Sequence, residues 1–262
     1  VAFVQVINLK FLLKQKHIAL MSSVVIVLLI SSSLLRSFQW SSPLSFAVYE
    51  ASHHPKSVRA NHNLGMMYRT LVLQGHNEFK HKAYSSFSKA AELNSGHIQP
   101  EAALIQLSYE MKDHVSPEII NSIANKLGNF ALKLDHINLL RELVLCRNQN
   151  CVLPKDAAKF LLDATNDNNR LHEYDLNHSI FMSTYAHFIL ERGYNPEDAE
   201  PYFKRAIETS PHHIQNYTDY ANLLLILDRK EDAGLYLDKA LSIAKNTDFK
   251  DEILAFKELN NL

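Results

Sequence analysis

Beyond residue 40, apolar residues recur every three or four positions along most of the chain, the spacing of amphipathic α-helices. Two of these runs are preceded by a helix start signal. Ser116-Pro117-Glu118 precedes one run, and Pro154 precedes another. The pattern therefore predicts an all-α fold. The expected helical runs are Leu44–Ser52, 102–111, 119–127, 139–145 and 157–162.

The C-terminal part of the chain repeats itself with a step of 34 residues. A period of this length is typical of a helix–turn–helix unit that buries one face by packing on its neighbour. The predicted architecture is thus an α-solenoid with a concave surface suited to binding. The matched positions are Ala199 and Ala233, Tyr202 and Tyr236, Phe203 and Leu237, and Ala206 and Ala240.

These positions resemble the tetratricopeptide repeat (TPR). One copy has Tyr185-Ala186 and Gly193 before Ala199, Phe203, Ala206 and Pro211, and a second spans Tyr217 to Ala240. A third copy has Leu64-Gly65, Tyr68, Ala83, Phe87 and Ala90, with about six extra residues around Gly75–Glu78. Small residues let two helices approach closely and aromatic residues fill the gap to the next pair. The resemblance implies a protein-binding scaffold, with Leu64 in its core.

An uncharged segment, Ile18–Leu35, predicts a transmembrane helix over residues 18–36. A buried core helix and a cleaved signal peptide are the alternatives. Lys10, Lys14 and Lys16 precede the segment, so the positive-inside rule places residues 1–17 in the cytoplasm. We therefore expect the repeats on the periplasmic side of the cytoplasmic (inner) membrane of a bacterium.

The chain begins with Val1, which favours a fragment, or the tail of a polytopic protein, over an alternative start codon. On that interpretation residues 1–17 could be the end of an upstream membrane region. The expected divisions after the membrane helix are an incomplete and a full TPR over 40–96, degenerate helical repeats over 97–169, and two further TPRs with a C-terminal helix over 170–262.

The run from Trp40 to Tyr68 and the segment from Leu140 to Pro154 are also similar to the extracytoplasmic TPR tail of bacterial polytopic glycosyltransferase-like proteins. That resemblance implies a catalytic membrane domain upstream and a role in envelope glycan or protein glycosylation. Two functions follow as hypotheses. The first is a membrane-anchored scaffold for a protein or peptide partner. The second is an accessory domain that positions the substrate of a glycosyltransferase.

Both cysteines, Cys146 and Cys151, fall in one short segment. Two cysteines at this spacing cannot form a structural zinc site alone. If the domain lies outside the cytoplasm, a disulfide is expected, and closing so small a ring would add roughly 2 kcal/mol. Two unpaired thiols are the alternative.

Composition and motifs narrow the chemistry. A net charge of -1 argues against a nucleic-acid partner. The adjacent histidine pairs at 53–54 and 212–213 point in different directions on a helix, so we expect no metal site. The SxxK match at Ser86 has no companion motifs, and no catalytic constellation or cofactor is expected in this segment.

In TPR proteins the ligand-facing residues lie on the first helix of each pair, and the resemblance transfers this role to ten residues here. Of these, Arg59, Asn63 and Arg69 could hold a carboxylate or a peptide carbonyl. A merely solvated helix face is the alternative. The candidates are Arg59, Asn63, Met66 and Arg69 in the first unit, Ser183, Thr184 and His187 in the second, and Gln215, Asp219 and Asn222 in the third.

Overall fold

A computed structural model describes residues 20–37, 40, 42–93, 96–147, 150–168, 175–244 and 249–262. The three lysines that set the expected topology lie outside these residues, as do positions 18 and 19 of the expected membrane helix. The described chain is helical apart from turns and one two-stranded antiparallel ladder. The predicted all-α class is therefore confirmed.

The helices are numbered here in chain order. They are α1 (Leu20–Ser37), α2 (Pro43–His53), α3 (Val58–Leu73), α4 (Lys80–Glu92), α5 (Gln99–Met111), α6 (Pro117–Asn129), α7 (Leu134–Val144), α8 (Lys155–Asn166), α9 (Asp175–Glu191), α10 (Glu200–Thr209), α11 (Ile214–Ile226), α12 (Lys230–Ile243) and α13 (Phe249–Leu259). Short 3₁₀ turns, Asn77–Phe79 and Pro196–Ala199, precede α4 and α10, and the ladder pairs β1 (Cys146–Arg147) with β2 (Asn150–Cys151).

The chain divides into two compact units, with the division between Ser86 and Phe87 inside α4. In the first unit, α2 packs on α3, and the buried faces carry Ala47, Ala51 and Ala60. The 3₁₀ turn Asn77–Phe79 lies within the expanded segment between α3 and α4. Its Phe79 stacks on Tyr68 with the ring centroids 5.6 Å apart.

Serine side chains cap several helices, and Ser116 does so where the sequence predicts a helix start. Ser42 accepts a hydrogen bond from the backbone N–H of Ser45, and Ser116 accepts one from that of Glu118. Proline then occupies the first turn of both α2 and α6, where its missing N–H costs nothing. Ser57 caps α3 in the same way.

The first helix of each repeat ends in a left-handed residue, and this closes a tight turn into the second helix. Gly75 and Gly193 have φ values of 100° and 69°, and Asp228 takes the same role with φ 57°. In each case the next N–H bonds back five residues, as from Arg229 to the Leu224 carbonyl at 2.8 Å. This is the Schellman arrangement, which satisfies carbonyls that the helix end leaves open.

The repeated small and aromatic positions form the core of the second unit. Six residues at the matched repeat positions are fully buried, at 0% exposure. Three lie on or just before α10, and three lie on α12. The two tyrosines fill the space beside them: Tyr202 stacks on Tyr185 at 4.3 Å, and Tyr236 meets Tyr220 edge-on at 4.6 Å. The predicted helix pairs, α9 with α10 and α11 with α12, are thereby confirmed. The six residues are Ala199, Phe203, Ala206, Ala233, Leu237 and Ala240.

The middle of the chain is helical but less regular. There α6 packs on α8, and α7 packs on both α8 and α9. The segment between α7 and α8, expected to be the Cys146/Cys151 loop of the degenerate helical repeats, forms the ladder. Cys146 faces Cys151 across it, and their sulfurs are bonded at 2.06 Å. The redox state of this pair in the native compartment stays a prediction.

One expected core residue is placed differently. Leu64 is half-buried, because the tightly packed positions of α3 are Ala60, Gly65 and Val72 instead. The large loss of stability expected on removing a buried leucine therefore does not apply to Leu64.

A charged cluster ties α10 to the next pair. Glu200 accepts hydrogen bonds from Tyr220 at 2.7 Å on α11, from Arg229 at 3.0 Å before α12, and from Lys204 at 2.8 Å. The hydrogen bonds from Lys204 and Tyr220, more than the bond from Arg229, lower the pKa of Glu200 to about 2. The carboxylate thus stabilises the fold in its ionised form.

We expect Glu200→Gln to reduce the free energy of unfolding by about 1–2 kcal/mol at neutral pH. Because the folded pKa of about 2 lies below the ordinary value of 4.5, this contribution is fully present above pH 4.5. It is lost as the pH falls towards 2, so the variant and the native chain should converge there. Urea denaturation between pH 7 and pH 2.5 measures this, with Glu208→Gln as an exposed control. A constant difference across the range would contradict the prediction.

Candidate functional site

Four of the predicted partner-binding residues meet between α9 and α11. The Asp219 carboxylate accepts hydrogen bonds from Ser183 at 3.2 Å and from Gln215 at 2.8 Å. The His187 Nε2 lies 3.1 Å from the same carboxylate. The side chain of Asp219 is only 13% exposed and that of His187 is 26% exposed. These residues therefore join the two first helices to each other before they meet any partner.

The electrostatics of the cluster keep Asp219 ionised. Burial alone raises its pKa, but the hydrogen bond and charge of His187, with the bonds from Gln215 and Ser183, outweigh burial and lower the pKa. Ser183 donates to the carboxylate and not to the imidazole. The trio therefore lacks the nucleophile-to-base bond of a hydrolytic triad.

The other residues predicted on these two helices divide. Thr184 is 2% exposed, and its hydroxyl donates to the Ile180 carbonyl of its own helix at 2.8 Å. Its position on α9 turns it inward, and its role in binding a partner stays a prediction. Asn222 and Gln215 are exposed and available to a ligand.

The predicted residues of the first unit lie along α3. Arg59 and Asn63 are exposed, whereas Met66 and Arg69 are half-buried. Their spacing of four, three and three residues forms a stripe on one side of the helix. This surface is basic and belongs to the first unit. Its role in binding stays a prediction.

A cleft of about 330 Å³ lies beside the Asp219 cluster, between α11 and α13. Phe249, which is 48% exposed, and Phe256 form part of its apolar wall. The polar wall carries Gln215 and Asn222 and two carboxylates, Asp219 and the exposed Glu252. The lining has no lysine or arginine, so the cleft combines exposed aromatic surface with negative charge.

Sequence reasoning missed the buried amide that aligns these helices. Asn216, which is 1% exposed, donates to the Ser179 hydroxyl at 2.8 Å and to the Ala206 carbonyl at 3.0 Å. Ser179 donates to the same carbonyl at 3.0 Å. Because α9, α10 and α11 meet at this point, the two residues fix the face on which Gln215 and Asp219 stand. The repeat pattern offers no signal for it, since neither Ser179 nor Asn216 is among the matched repeat positions.

A larger cavity, about 760 Å³, opens beside the disulfide ladder and is lined mainly by apolar residues such as Ile120, Val152 and Leu153. Among its polar lining residues, Arg192 donates to the Val144 carbonyl at 3.0 Å and to the Leu153 carbonyl at 2.9 Å. The guanidinium thus holds the ladder in place. We assign this cavity no ligand.

One group of side chains has the composition of a metal site. His97, Asp135 and His136 each offer a ligand atom within 4.8 Å of the others. Burial lowers the pKa of His136 more than Asp135 raises it, which favours a neutral imidazole. The spacing of histidines along the sequence does not reveal this group, because His97 precedes α5 whereas the other two residues open α7.

No protein-family model and no curated protein matches the chain. One solved structure that is similar is "Crystal structure of YrrB: a TPR protein with an unusual peptide-binding site". It is 15% identical over 81% of this chain and 97% of that chain, with a TM-score of 0.42, too low to support an argument.

None of these comparisons supports the likeness to glycosyltransferase tails, which stays a prediction. Together, the 34-residue period and the buried repeat positions show an all-α architecture in which paired helices repeat, α9 with α10 and α11 with α12.

Proposed function

We propose that the chain is a membrane-anchored scaffold that binds a peptide segment of a partner protein at the cleft between α11 and α13. The observation that carries this proposal is the lining of that cleft. The exposed ring of Phe249 and the half-buried ring of Phe256 on α13 stand beside the amides of Gln215 and Asn222 on α11, the first helix of a repeat, where a repeat of this type offers its ligand-facing side chains.

The charge of the cleft selects the peptide. The exposed Glu252 carboxylate attracts a lysine or arginine side chain, whereas Asp219 is already paired with His187. Phe249 and Phe256 offer surface to a neighbouring apolar residue or to the aliphatic part of the basic side chain. Gln215 and Asn222 can bond the peptide backbone, as amides do in extended-peptide recognition. The ligand we expect is therefore a basic residue beside an apolar one.

We expect Glu252→Lys to weaken binding of such a peptide by about 5–30-fold, because reversal replaces an attraction with a repulsion. The probe is a labelled peptide that contains an Arg-Leu pair. The comparison peptide has Glu in place of Arg and is otherwise identical. Fluorescence polarisation with the full chain in detergent micelles gives both affinities. Glu208→Lys, the same change on exposed α10, is the matched control.

Two results would contradict the site. One is equal affinity for the Arg and Glu peptides. The other is an equal loss of affinity in Glu208→Lys and Glu252→Lys, which would show that only the net charge of the chain matters.

The anchor of this scaffold is α1. Every described side chain of this 18-residue helix is exposed, and its mean hydropathy is 1.8. An exposed apolar helix of this length matches the thickness of a bilayer core. A cleaved signal sequence passes the same test of length and composition. The orientation we propose, with the repeats on the periplasmic side of the cytoplasmic membrane, rests on the lysines before the helix.

This topology predicts that alkaline phosphatase fused after Leu262 is active in bacterial cells and that a fluorescent protein which matures only in the cytoplasm stays dark. The reverse pattern would place the repeats inside the cell. Release of the fusion from carbonate-washed membranes would instead identify α1 as a cleaved signal.

A further inference from the structure

We propose that His97, Asp135 and His136 form a binding site for a divalent first-row transition-metal ion, with Zn²⁺ as the best match. The site lies in the second unit, where the residue that precedes α5 faces the first turn of α7. It is separate from the cleft between α11 and α13, and it does not depend on the proposed peptide.

The three ligand atoms are already close. The His97 Nδ1 lies 4.0 Å from the Asp135 Oδ2, and the two imidazole centroids are 5.5 Å apart. Ligand atoms around a tetrahedral zinc ion lie about 3.3–3.6 Å from one another, since each is about 2.0–2.2 Å from the metal. The ligand atoms of the three residues lie within 4.8 Å of one another, so shifts of about 1–1.5 Å bring them to these separations. His97 and Asp135 are 39% and 46% exposed, so both side chains have room to make these shifts.

The imidazole nitrogens carry the strongest argument. His136 is 3% exposed, and its Nε2 makes no hydrogen bond within the described chain. The His97 Nδ1 is also buried and makes none there, although the Asp135 carboxylate lies nearby. Buried polar atoms are nearly always bonded, and each that is not calls for an explanation. One metal ion would give both nitrogens a partner at once.

The donor set indicates which ion fits. Two imidazoles and one carboxylate suit zinc and its neighbours in the first transition row, whereas magnesium and calcium prefer oxygen ligands alone. Three protein ligands leave a fourth position for water, which can enter from the exposed side of His97 and Asp135.

Neighbouring residues hold the ligands in place. Gln99 donates to the Asp135 Oδ2 at 3.1 Å, which orients the carboxylate as outer-shell amides do around metals. Lys126 donates to the His97 carbonyl at 3.0 Å and fixes the backbone from which that imidazole extends. The buried pair of Lys126 and Glu101 is thus linked to the site.

Two features oppose the binding of a cation. The first is positive charge, which comes from the N-termini of α5 and α7 and from the lysines at 126 and 133. Lys126 is neutralised by Glu101 at 2.6 Å, and Lys133 is exposed to solvent. The second feature is the protonation of His136. Coordination through the His136 Nε2 requires a proton on its Nδ1. That displaces a long hydrogen bond, 3.4 Å, from the backbone N–H of Lys133. Both costs are local, and neither blocks the ligand atoms.

The test is calorimetric titration of Zn²⁺ into the full chain in detergent, purified without a histidine tag and without reductant. We expect one saturable ion per chain. His97→Ala and Asp135→Asn should each weaken binding by at least about tenfold. Both residues are partly exposed, so the variants should fold, which circular dichroism checks. His136→Ala is avoided as the sole test because that residue is buried.

The matched control is His212→Ala with His213→Ala, which removes two histidines at the start of α11 and should leave the zinc affinity unchanged. Titration with Co²⁺ gives an independent readout, since imidazole and carboxylate coordination in a four-coordinate site produces a visible absorption band. The proposal is overturned if the native chain shows no saturable binding up to about 1 mM. It is also overturned if both single variants bind as tightly as the native chain.

Discussion

Replacing Phe203 by alanine is expected to lower the free energy of unfolding of the second unit by about 3–5 kcal/mol. The ring is 0% exposed at the centre of α10, between the repeat alanines 199 and 206. Its edge meets the His187 ring at 5.3 Å, so its removal also takes support from the cluster around Asp219. A cavity there cannot collapse easily, because small residues already bring the helices close together.

Urea denaturation followed by circular dichroism measures this loss. Leu235→Ala is the control, since that side chain is 61% exposed on α12 and its removal should change stability by no more than about 0.5 kcal/mol. Equal effects of the two substitutions would contradict the assignment of the repeat core.

Replacing Lys126 by methionine is also expected to lower the free energy of unfolding by about 3–5 kcal/mol. Lys126 is 7% exposed and Glu101 is 1% exposed, and their charged atoms are 2.6 Å apart. Without the ammonium, Glu101 keeps only the hydrogen bond from Ser122 at 2.9 Å, and its charge is buried without a counterion. The penalty comes from this uncompensated charge and not from the lost attraction alone.

The matched comparison is the double variant Glu101→Leu with Lys126→Met. It removes both charges and fills the two positions with apolar side chains of similar volume. It should recover most of the stability that Lys126→Met loses, because no charge is then left unpaired. The same denaturation experiment reads out all three chains. A double variant as unstable as the single one would show that the cost lies in packing and not in the charge.

Much of the fold follows from the sequence because the repeat imposes local rules. The 34-residue period marks the positions where two helices touch, and those positions are buried in the structure. Ser116 and Pro117 predict the start of α6 because their effects on the backbone are confined to the first turn of the helix. The ladder at Cys146 is less predictable, since two-residue strands have no periodicity to detect.

The candidate sites follow from the sequence only in part. The motif places Gln215 and Asn222 on an exposed face, but it cannot show that Asp219 is held by Ser183 and His187 from another helix. That contact depends on how α9 packs on α11. The same holds for the metal group, whose members come from different helices and follow no spacing rule.

The proposal that peptides bind between α11 and α13 is tested most directly by hydrogen–deuterium exchange of the full chain with and without the Arg-Leu peptide. Amide exchange reports which backbone segments a ligand stabilises. We predict that the peptide slows exchange in Ile214–Ile226 and Phe249–Leu259, and leaves Gln99–Met111 and Lys155–Asn166 unchanged. Slower exchange confined to any other segment, or no change at a saturating peptide concentration, would contradict the proposed site.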